Sequence, residues 1–527
     1  MREASKPVKG GRYTLVRDLD ANVAHFNEVL GLGTSYDVIL RRMRLDGVQV
    51  ASYVINGLFD NLVDIEILRQ ISWSGPNSPQ ADRGSGGPHD ERDPDAPGRE
   101  DPGSLPTGTR LDVLRTLLEE KLTHSQVSIV HDFDTATKLI MSGPMIILVD
   151  GEAAAIKVDI RDYPDRMPGP PDVEQLILGP QDGFVESIID NTTLVRRRIR
   201  DPGLRFEIIE IGQRSKTDVA ITYIEGLTDP RLVREVKRRL QGIVVDGIPA
   251  GEQPVAEFLS GQPWNPFPTA RKTIRPDVAA VNLFDGHVVI IIDTTPVALI
   301  TPISLLQLLQ NPEDYHVNPV YGTYLRWVEA YAAIWAVLIP PVWLLLATHH
   351  GLLRHFPGLS FLGPKKPSPV PLPLQFLLAE FSIDVLRRAI LNSPSSLATS
   401  FGILGAVIIG DVSLKTGLFT PEALVYMVGA AIASFAISNL ELGMALRMMR
   451  VTLIALEWLW ALPGVVVGLL FWTVMAARTE SMGTPYLWPL IPFNWPALRS
   501  VLLRDPATVR VPRPTVLHPT NRWRGGY

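Results

Sequence analysis

Charged side chains inside an otherwise apolar C-terminal half are the residues of this chain that could do chemistry. Glu380, Asp384 and Arg388 follow one another at four-residue spacing, which places them along one side of a helix. An ionisable group at membrane depth is by default a candidate for an ion or substrate path. The alternative is a helix at the membrane interface, from which long side chains reach water. The sequence leaves both interpretations open.

Three further carboxylates have the same character. Glu441 and Glu457 border the last two apolar stretches, and Asp411 follows a short apolar run. The candidate ion-path or membrane-depth polar residues are therefore Glu380, Asp384, Arg388, Asp411, Glu441 and Glu457. Because rings of carboxylates select cations in pores, we hypothesise cation selectivity from Glu380, Asp384 and Glu457.

The sequence lacks three common motifs of enzymatic chemistry. It has no Gly-rich phosphate loop ending in Lys-Ser or Lys-Thr, no HExxH and no GxSxG. His349, His350 and His355 cluster without a nearby acidic ligand, which favours an interfacial position over a metal site. We therefore expect no enzymatic activity, no catalytic or metal-binding residue and no cofactor.

The helices that must position these charges begin near Tyr324, where a mixed-charge sequence gives way to apolar stretches. Several of these stretches approach the roughly 20 apolar residues that a spanning helix needs. We predict a helical transmembrane domain over 325–480, followed by a basic tail over 481–527. The predicted spans are 327–348, 396–413, 422–440 and 454–477, with 374–391 as a fifth candidate. Four spans return the C-terminus to the cytoplasmic side and five leave it outside. The basic tail favours four, whereas Lys365, Lys366, Arg447 and Arg450, which would then lie outside, count against it.

Composition limits the classes of partner and the cellular compartment that we expect for this chain. A net charge of -5 and a pI near 6.1 give no signature of nucleic-acid binding. The chain has no cysteine, which excludes disulfides and thiolate chemistry. Its first residues lack the apolar core of a signal peptide, so we expect the N-terminal half to be cytoplasmic.

Two soluble units are predicted ahead of the spans. The first covers 1–165 and contains an insertion over 72–108 that is rich in Gly, Pro, Ser and Asp and is predicted to be disordered. A linker over 166–181 leads to the second unit over 182–320. The predicted fold class is a multi-domain α+β/α membrane protein, in which two N-terminal cytoplasmic α/β units precede a helical transmembrane domain.

Within the second unit, 243–245 and 279–284 are predicted as strands, the latter paired with 287–292 about a turn at Asp285-Gly286. The segment 288–309 is apolar enough to suggest another span. Its run of β-branched residues, the charge of Asp293 and two prolines favour a buried hairpin instead.

A series of motifs resembles the A-subunit family of bacterial spore germinant receptors, and the resemblance covers about 179–523. The motifs are DGFVESIIDNTTLVRRRIRDPGLR at 182–205, Arg275-Pro276-Asp277, Ile408-Ile409-Gly410-Asp411, SMGTPYLWPLIP at 481–492 and Arg504-Asp505-Pro506. They occur in the family's order along the chain, which makes coincidence improbable.

The resemblance implies a spore germination protein of the inner spore membrane, acting as a subunit that oligomerises into a channel for monovalent cations. The implied partners are the membrane, further copies of the chain, and other germination membrane proteins, either a small membrane partner or receptor subunits. A non-conducting scaffold or signalling component is the alternative. A transporter is a third interpretation, for which Pro340-Pro341 and Pro463-Gly464 could break helices.

Overall fold

A computed structural model of the chain describes residues 14–45, 48–72, 122, 124, 126–163, 179–249, 251–348, 368–506 and 508–524. The predicted disordered insertion from residue 73 onward, most of the predicted linker and the three clustered histidines lie outside these residues.

The first soluble unit is a five-stranded antiparallel sheet between two layers of helices. Its described elements are α1 (Leu19–Leu30), β1 (Val38–Leu45), β2 (Val48–Ile55), α2 (Asn61–Ser72), β3 (Val127–Val130), α3 (Phe133–Met141), β4 (Met145–Val149) and β5 (Ala155–Val158). The strand order is β1-β2-β4-β5-β3. Asp18 and Asp132 cap the starts of α1 and α3, and Gly31 ends α1 with φ 68°. All five residues of β4 are buried, because helices cover both faces of the sheet.

The second soluble unit repeats this architecture. Its described elements are α4 (Ile188–Arg198), β6 (Leu204–Ile211), β7 (Thr217–Ile224), α5 (Pro230–Gln241), α6 (Glu252–Ser260), β8 (Arg271–Thr273), α7 (Pro276–Asp285), β9 (Val288–Ile292) and β10 (Ala298–Thr301). The strand order β6-β7-β9-β10-β8 is the order of the first unit. Helices α4 and α7 cover one face of the sheet, and α5 and α6 cover the other.

Equivalent residues support an internal duplication of the two units. Asn22 in α1 closes a pair of hydrogen bonds with the backbone of Val16, and Asn191 in α4 does the same with Val185. This repeat was not predicted from the sequence, because the feature common to the two units is the order of their strands, which only the structure displays.

Two predicted strands of the second unit are wrong. Residues 279–284 belong to helix α7, which Pro276 starts, and Ala279, Ala280 and Leu283 are buried against the sheet at helical spacing. Residues 243–245 form no strand, although Ile243 is buried beside α5. The preference for a hairpin over a span in 288–309 is confirmed, since β9 and β10 pair antiparallel. Both units are mixed α/β as predicted, and every described strand pair is antiparallel.

The C-terminal part is a helix bundle. A short helix α8 (Leu305–Leu308) and a 3-10 turn (Pro312–Tyr315) lead from the second unit into α9 (Pro319–Thr348). The other described helices of the bundle are α10 (Leu372–Leu391), α11 (Ser395–Val407), a π-helical turn (Ile408–Val412), α12 (Ser413–Lys415), α13 (Pro421–Phe435) and α14 (Leu440–Arg478). Among the described residues, three helices are long and apolar enough to cross a membrane, and α13 is a shorter apolar helix. The span count stays a prediction.

Helix α14 consists of two arms, 440–460 and 462–478. Ala461 has the non-helical angles φ 53° and ψ -133°, and Pro463 removes a backbone donor just after it. A side chain on Gly464 would collide with the Leu456 carbonyl, so glycine allows the second arm to fold back closely on the first. The predicted span 454–477 lies across this break.

Both ends of α14 contact the second soluble unit. Lys272 of β8 forms an ion pair with Glu441 in the first turn, with Nζ 2.8 Å from Oε1. At the other end, Asn265 donates from Nδ2 to the Thr479 hydroxyl at 2.7 Å. The two arms therefore leave from the second unit and return to it.

The chain after α14 runs back over the second unit. It forms the hairpin β11 (Glu480–Ser481) and β12 (Thr484–Pro485), the helix α15 (Trp495–Leu502) and a 3-10 turn (Thr515–Leu517). Arg326 of α9 donates from Nη1 to the carbonyls of Ser500 and Val501 at 3.0 Å. Arg524 forms a bidentate ion pair with Asp285, which fastens the tail to the soluble half.

Candidate functional site

A fully buried guanidinium lies at the centre of the helix bundle. Arg450, on the first arm of α14, donates from Nη2 to Glu380 Oε1 at 2.7 Å and from Nε to Oε2 at 3.1 Å. Its Nη1 donates to the Ala336 carbonyl of α9 at 2.5 Å and to the Ser434 hydroxyl of α13 at 3.2 Å. One side chain therefore joins four helices.

A second arginine extends this network toward the soluble unit. Arg447 lies one helical turn before Arg450, and its Nε is 3.1 Å from Glu380 Oε1. Its Nη1 donates to Asp384, one turn after Glu380 on α10. Two carboxylates at i, i+4 thus face two guanidiniums at i, i+3 across the α10–α14 contact. Such a cluster persists in a low-dielectric interior because each charge has a partner and further hydrogen bonds.

The third member of the predicted acid–base row lies elsewhere. Arg388 is exposed, whereas Glu380 is buried. Four residues rotate a helix by about 400°, so each step moves the side chain about 40° around the axis, and Arg388 leaves the side that Glu380 occupies.

Glu457 and Asp411 lie away from the central cluster. Glu457 is buried on the first arm of α14 and accepts a hydrogen bond from the Thr348 hydroxyl at 3.0 Å, at the end of α9 remote from the soluble unit. Asp411 lies in the π-helical turn and pairs with Lys415 at 2.6 Å, with side chains 60% and 72% exposed. Glu441 pairs with Lys272, as described above. The fold therefore brings Glu380 and Asp384 together and separates the other candidates.

Arg447 and Arg450, which complete the cluster, were not predicted as site residues. They were treated only as charges that bear on topology. Their signal was available, since two arginines three residues apart in an apolar helix need carboxylate partners, and Glu380 and Asp384 have the matching spacing. Glu329 was also missed, and it accepts a hydrogen bond from the Ser438 hydroxyl at 2.6 Å.

A separate buried ion pair joins the two soluble units. Arg196, from the VRRRIR motif, donates from Nε to Asp37 Oδ2 at 2.8 Å, and both side chains are nearly inaccessible to water. Arg196 also donates from Nη2 to the Leu204 carbonyl at 3.0 Å, and Ser35 donates to the other oxygen of Asp37 at 2.6 Å. Neighbouring Arg205 reaches the carbonyls of α1 in the first unit. This part of the family motif therefore fixes the orientation of one unit on the other.

His287, in the turn before β9, is a buried titratable group of the second unit. Burial lowers the pKa of His287 to about 4, from an ordinary value near 6.5, because the charged imidazolium is poorly solvated there. The Asp285 carboxylate acts in the opposite direction and offsets only part of this effect.

Stability should consequently fall in acid through His287. The unfolded chain takes up a proton near pH 6.5 and the folded chain only near pH 4, so this contribution is complete above pH 6.5 and is lost as the pH falls to about 4. The full loss amounts to about 3 kcal/mol. In chemical denaturation of the detergent-solubilised chain, His287→Gln should remove this part of the pH dependence. Equal slopes for the two proteins between pH 6.5 and 4 would contradict the assignment.

The bundle and the two units define the class of this protein. Long apolar helices joined by a buried charge network, carrying a duplicated soluble N-terminal half, are the architecture of a multi-pass membrane protein with a large extramembrane part. The family model described as Bacillus/Clostridium GerA spore germination protein matches residues 25–516. The chain belongs to this GerA family of spore germination proteins, and the resemblance inferred from its motifs is confirmed.

Individual relatives agree with the family. The chain is 37% identical to stage V sporulation protein AF of Bacillus subtilis (strain 168), over 98% of each chain. It is 29% identical to spore germination protein GerLA of Bacillus cereus, over 77% of this chain and 82% of that one. Among solved structures, the N-terminal domain of the A subunit of the Bacillus megaterium spore germinant receptor GerK3 is 26% identical. That match has a TM-score of 0.39 and covers 55% of this chain and 97% of the domain.

Proposed function

We propose that the chain is a subunit of an oligomeric channel in the inner spore membrane that releases monovalent cations during germination. The observation that carries the proposal is the position of the helical segment Leu397–Lys415 at the edge of the bundle. It is apolar enough to span a membrane, yet only 6% of its apolar window is buried by the rest of the chain. Further copies of the chain would cover this segment and enclose a path between subunits.

Small residues on this segment support close packing of another subunit. Ala398, Gly402, Ala406 and Gly410 recur every four residues, so neighbouring members of this series lie only about 40° apart around the segment. A side chain added at Gly402 or Gly410 would meet no described atom outside its own helical turn within 4 Å, whereas one at Gly405 would collide with Leu386 of α10. Repeated small residues at this spacing allow membrane helices to approach closely.

The proposed ion path uses the carboxylates that the chain leaves accessible. Glu380 is held by two guanidiniums and Glu457 is buried. The side chains of Asp411 and Asp384 are 60% and 44% exposed, so these two acids are best placed to face a neighbouring subunit. We therefore assign cation selection to Asp411 and Asp384 rather than to Glu380 and Glu457.

We further propose that the N-terminal half and the C-terminal tail both lie on the cytoplasmic side. Thr520 donates its backbone N–H to the Leu227 carbonyl at 3.0 Å, and Arg513 donates to the Phe284 carbonyl at 2.6 Å. Contacts between the tail and the second unit require an even number of crossings. The basic character of the tail favours the cytoplasmic face.

A non-conducting scaffold is the second candidate function, and the central cluster favours it. Glu380 and Asp384 are matched by Arg447 and Arg450, so the cluster is neutral. In the scaffold interpretation the pair with Arg447 withholds Asp384 from an ion, and the cluster only holds the helices together. In that case the soluble units would dock receptor subunits or a small membrane partner while the helices anchor the assembly.

Potassium efflux from liposomes containing the purified full chain tests the channel proposal. Gly402→Leu should abolish most of the efflux and shift the assembly to a smaller size, because a large side chain separates the subunits, whereas Ile403→Leu should do neither.

Asp411→Asn should lower the preference for potassium over chloride several-fold, because it removes a negative charge from the path. Glu480→Gln is the control for Asp411→Asn, because Glu480 is an exposed carboxylate outside the bundle. No efflux from folded, inserted protein would favour the scaffold.

A further inference from the structure

A recess opens between α10, α13 and α14 at the end of the bundle nearest the soluble half. Its volume is about 310 Å³. Two guanidiniums line it, Arg387 from α10 and Arg447 from α14, and no carboxylate is among its described lining residues. Its exposed apolar lining consists of Phe435, Leu440 and Met444.

The recess lies at the level of a membrane surface. Asn311 and Pro312, which come just before α9, line one side of it. Leu440, at its other side, starts α14 next to Glu441, and Glu441 pairs with Lys272 of the soluble unit. Helices that leave the soluble unit enter the membrane here, so the recess is at the depth of lipid headgroups in the leaflet facing that unit.

The charges around the recess leave one guanidinium without a counter-charge. Arg447 is balanced within the neutral cluster described above. The Arg387 guanidinium lies over the Phe435 ring at 5.5 Å, and no carboxylate within the described ranges pairs with it. An arginine at this depth is favourable when an anion accompanies it, and the planar guanidinium fork suits the oxygens of a phosphate.

Hydroxyl groups in the recess add little to anion binding. The Ser438 hydroxyl donates to Glu329 at 2.6 Å, and the Ser434 hydroxyl donates to the Ala430 carbonyl at 2.8 Å. The two guanidiniums therefore supply the available donors. The single unbalanced charge, on Arg387, suits a ligand with one negative charge, such as a phosphodiester.

We propose that the recess binds the headgroup phosphate of a monoanionic phospholipid from the leaflet that faces the soluble half. Arg387 provides the counter-charge, Arg447 adds a donor, and an acyl chain lies over Phe435, Leu440 and Met444. Basic recesses between membrane helices bind anionic headgroups in this way. The apolar lining favours a lipid over free phosphate, because a lipid buries an acyl chain against it and inorganic phosphate has no apolar surface. The site does not depend on whether the chain conducts ions.

Binding of phosphatidylglycerol to the delipidated full chain in detergent, followed by native mass spectrometry, tests this proposal. Arg387→Gln should weaken binding at least roughly tenfold, because it removes the counter-charge and its charge-assisted hydrogen bonds to the phosphate. Arg388→Gln is the matched control, because Arg388 is the next residue, is exposed and does not line the recess. Arg388→Gln should leave the affinity for phosphatidylglycerol unchanged. Phosphatidylcholine should bind equally weakly to the wild-type chain and to Arg387→Gln.

Two results would overturn the proposal. One is an equal loss of phosphatidylglycerol binding in Arg387→Gln and Arg388→Gln, which would indicate general attraction to basic residues. The other is displacement of the lipid by millimolar inorganic phosphate, which would indicate a site for the free anion. If Arg387→Gln does not fold, Arg387→Lys keeps the charge without the fork, and an affinity equal to wild type would count against recognition by the guanidinium.

Discussion

Replacing Glu380 by glutamine should lower the free energy of unfolding of the full chain by about 3–5 kcal/mol, because it leaves a buried guanidinium without its carboxylate. Arg450 is completely inaccessible to water and takes its only described ion pair from Glu380. Arg447 would retain its ion pair with Asp384. The measurement is chemical denaturation of the detergent-solubilised protein, followed by circular dichroism and tryptophan fluorescence.

Asp411→Asn is the matched control for this prediction. Asp411 also forms an ion pair with a cation in an apolar helix, but both side chains are largely exposed, so the change should be about 1 kcal/mol or less. The double variant Glu380→Gln/Arg450→Met should recover much of the loss, since no unpaired charge then remains. If Glu380→Gln costs no more than Asp411→Asn, the central cluster does not hold the bundle together.

Replacing Arg196 by methionine should destabilise the soluble half by a similar amount, about 3–5 kcal/mol. The change leaves the Asp37 carboxylate buried with the Ser35 hydroxyl as its remaining described hydrogen-bond partner. It also removes the donor to the Leu204 carbonyl. Because these contacts join the two units, limited proteolysis of the full chain should show faster cleavage between them.

The exposed pair of Arg42 and Asp20 provides the comparison for Arg196. Arg42→Met should cost less than about 1 kcal/mol, as exposed ion pairs usually do. A double-mutant cycle with Arg196→Met and Asp37→Asn should give a coupling free energy of at least about 1 kcal/mol. Additive effects of the two changes would show that the pair does not couple the units.

Local sequence signals predicted many elements with their boundaries. The apolar pattern of the sequence predicts helices over 19–30 and 133–141 and strands over 145–149 and 204–211, and the structure has these four elements with the same bounds. Each is either a continuous apolar run or a regular apolar pattern, with a cap or turn residue at its end. Residues 279–284 were misassigned because a short apolar run fits a strand and a buried helix equally well, and the neighbouring strands decide between them.

The candidate site also has a part that the sequence predicted and a part that only the tertiary structure showed. The sequence was sufficient to find carboxylates at unusual positions in an apolar region and to place the chain in its family, since composition and ordered motifs are properties of the chain itself. It could not decide which charges are free. Glu380 and Arg450 are 70 residues apart, and only helix packing brings them within 2.7 Å. The tertiary structure therefore decided that Glu380 is a structural partner, that Asp411 is accessible and that Arg387 lines a recess, because the energy of a charge depends on what surrounds it in space.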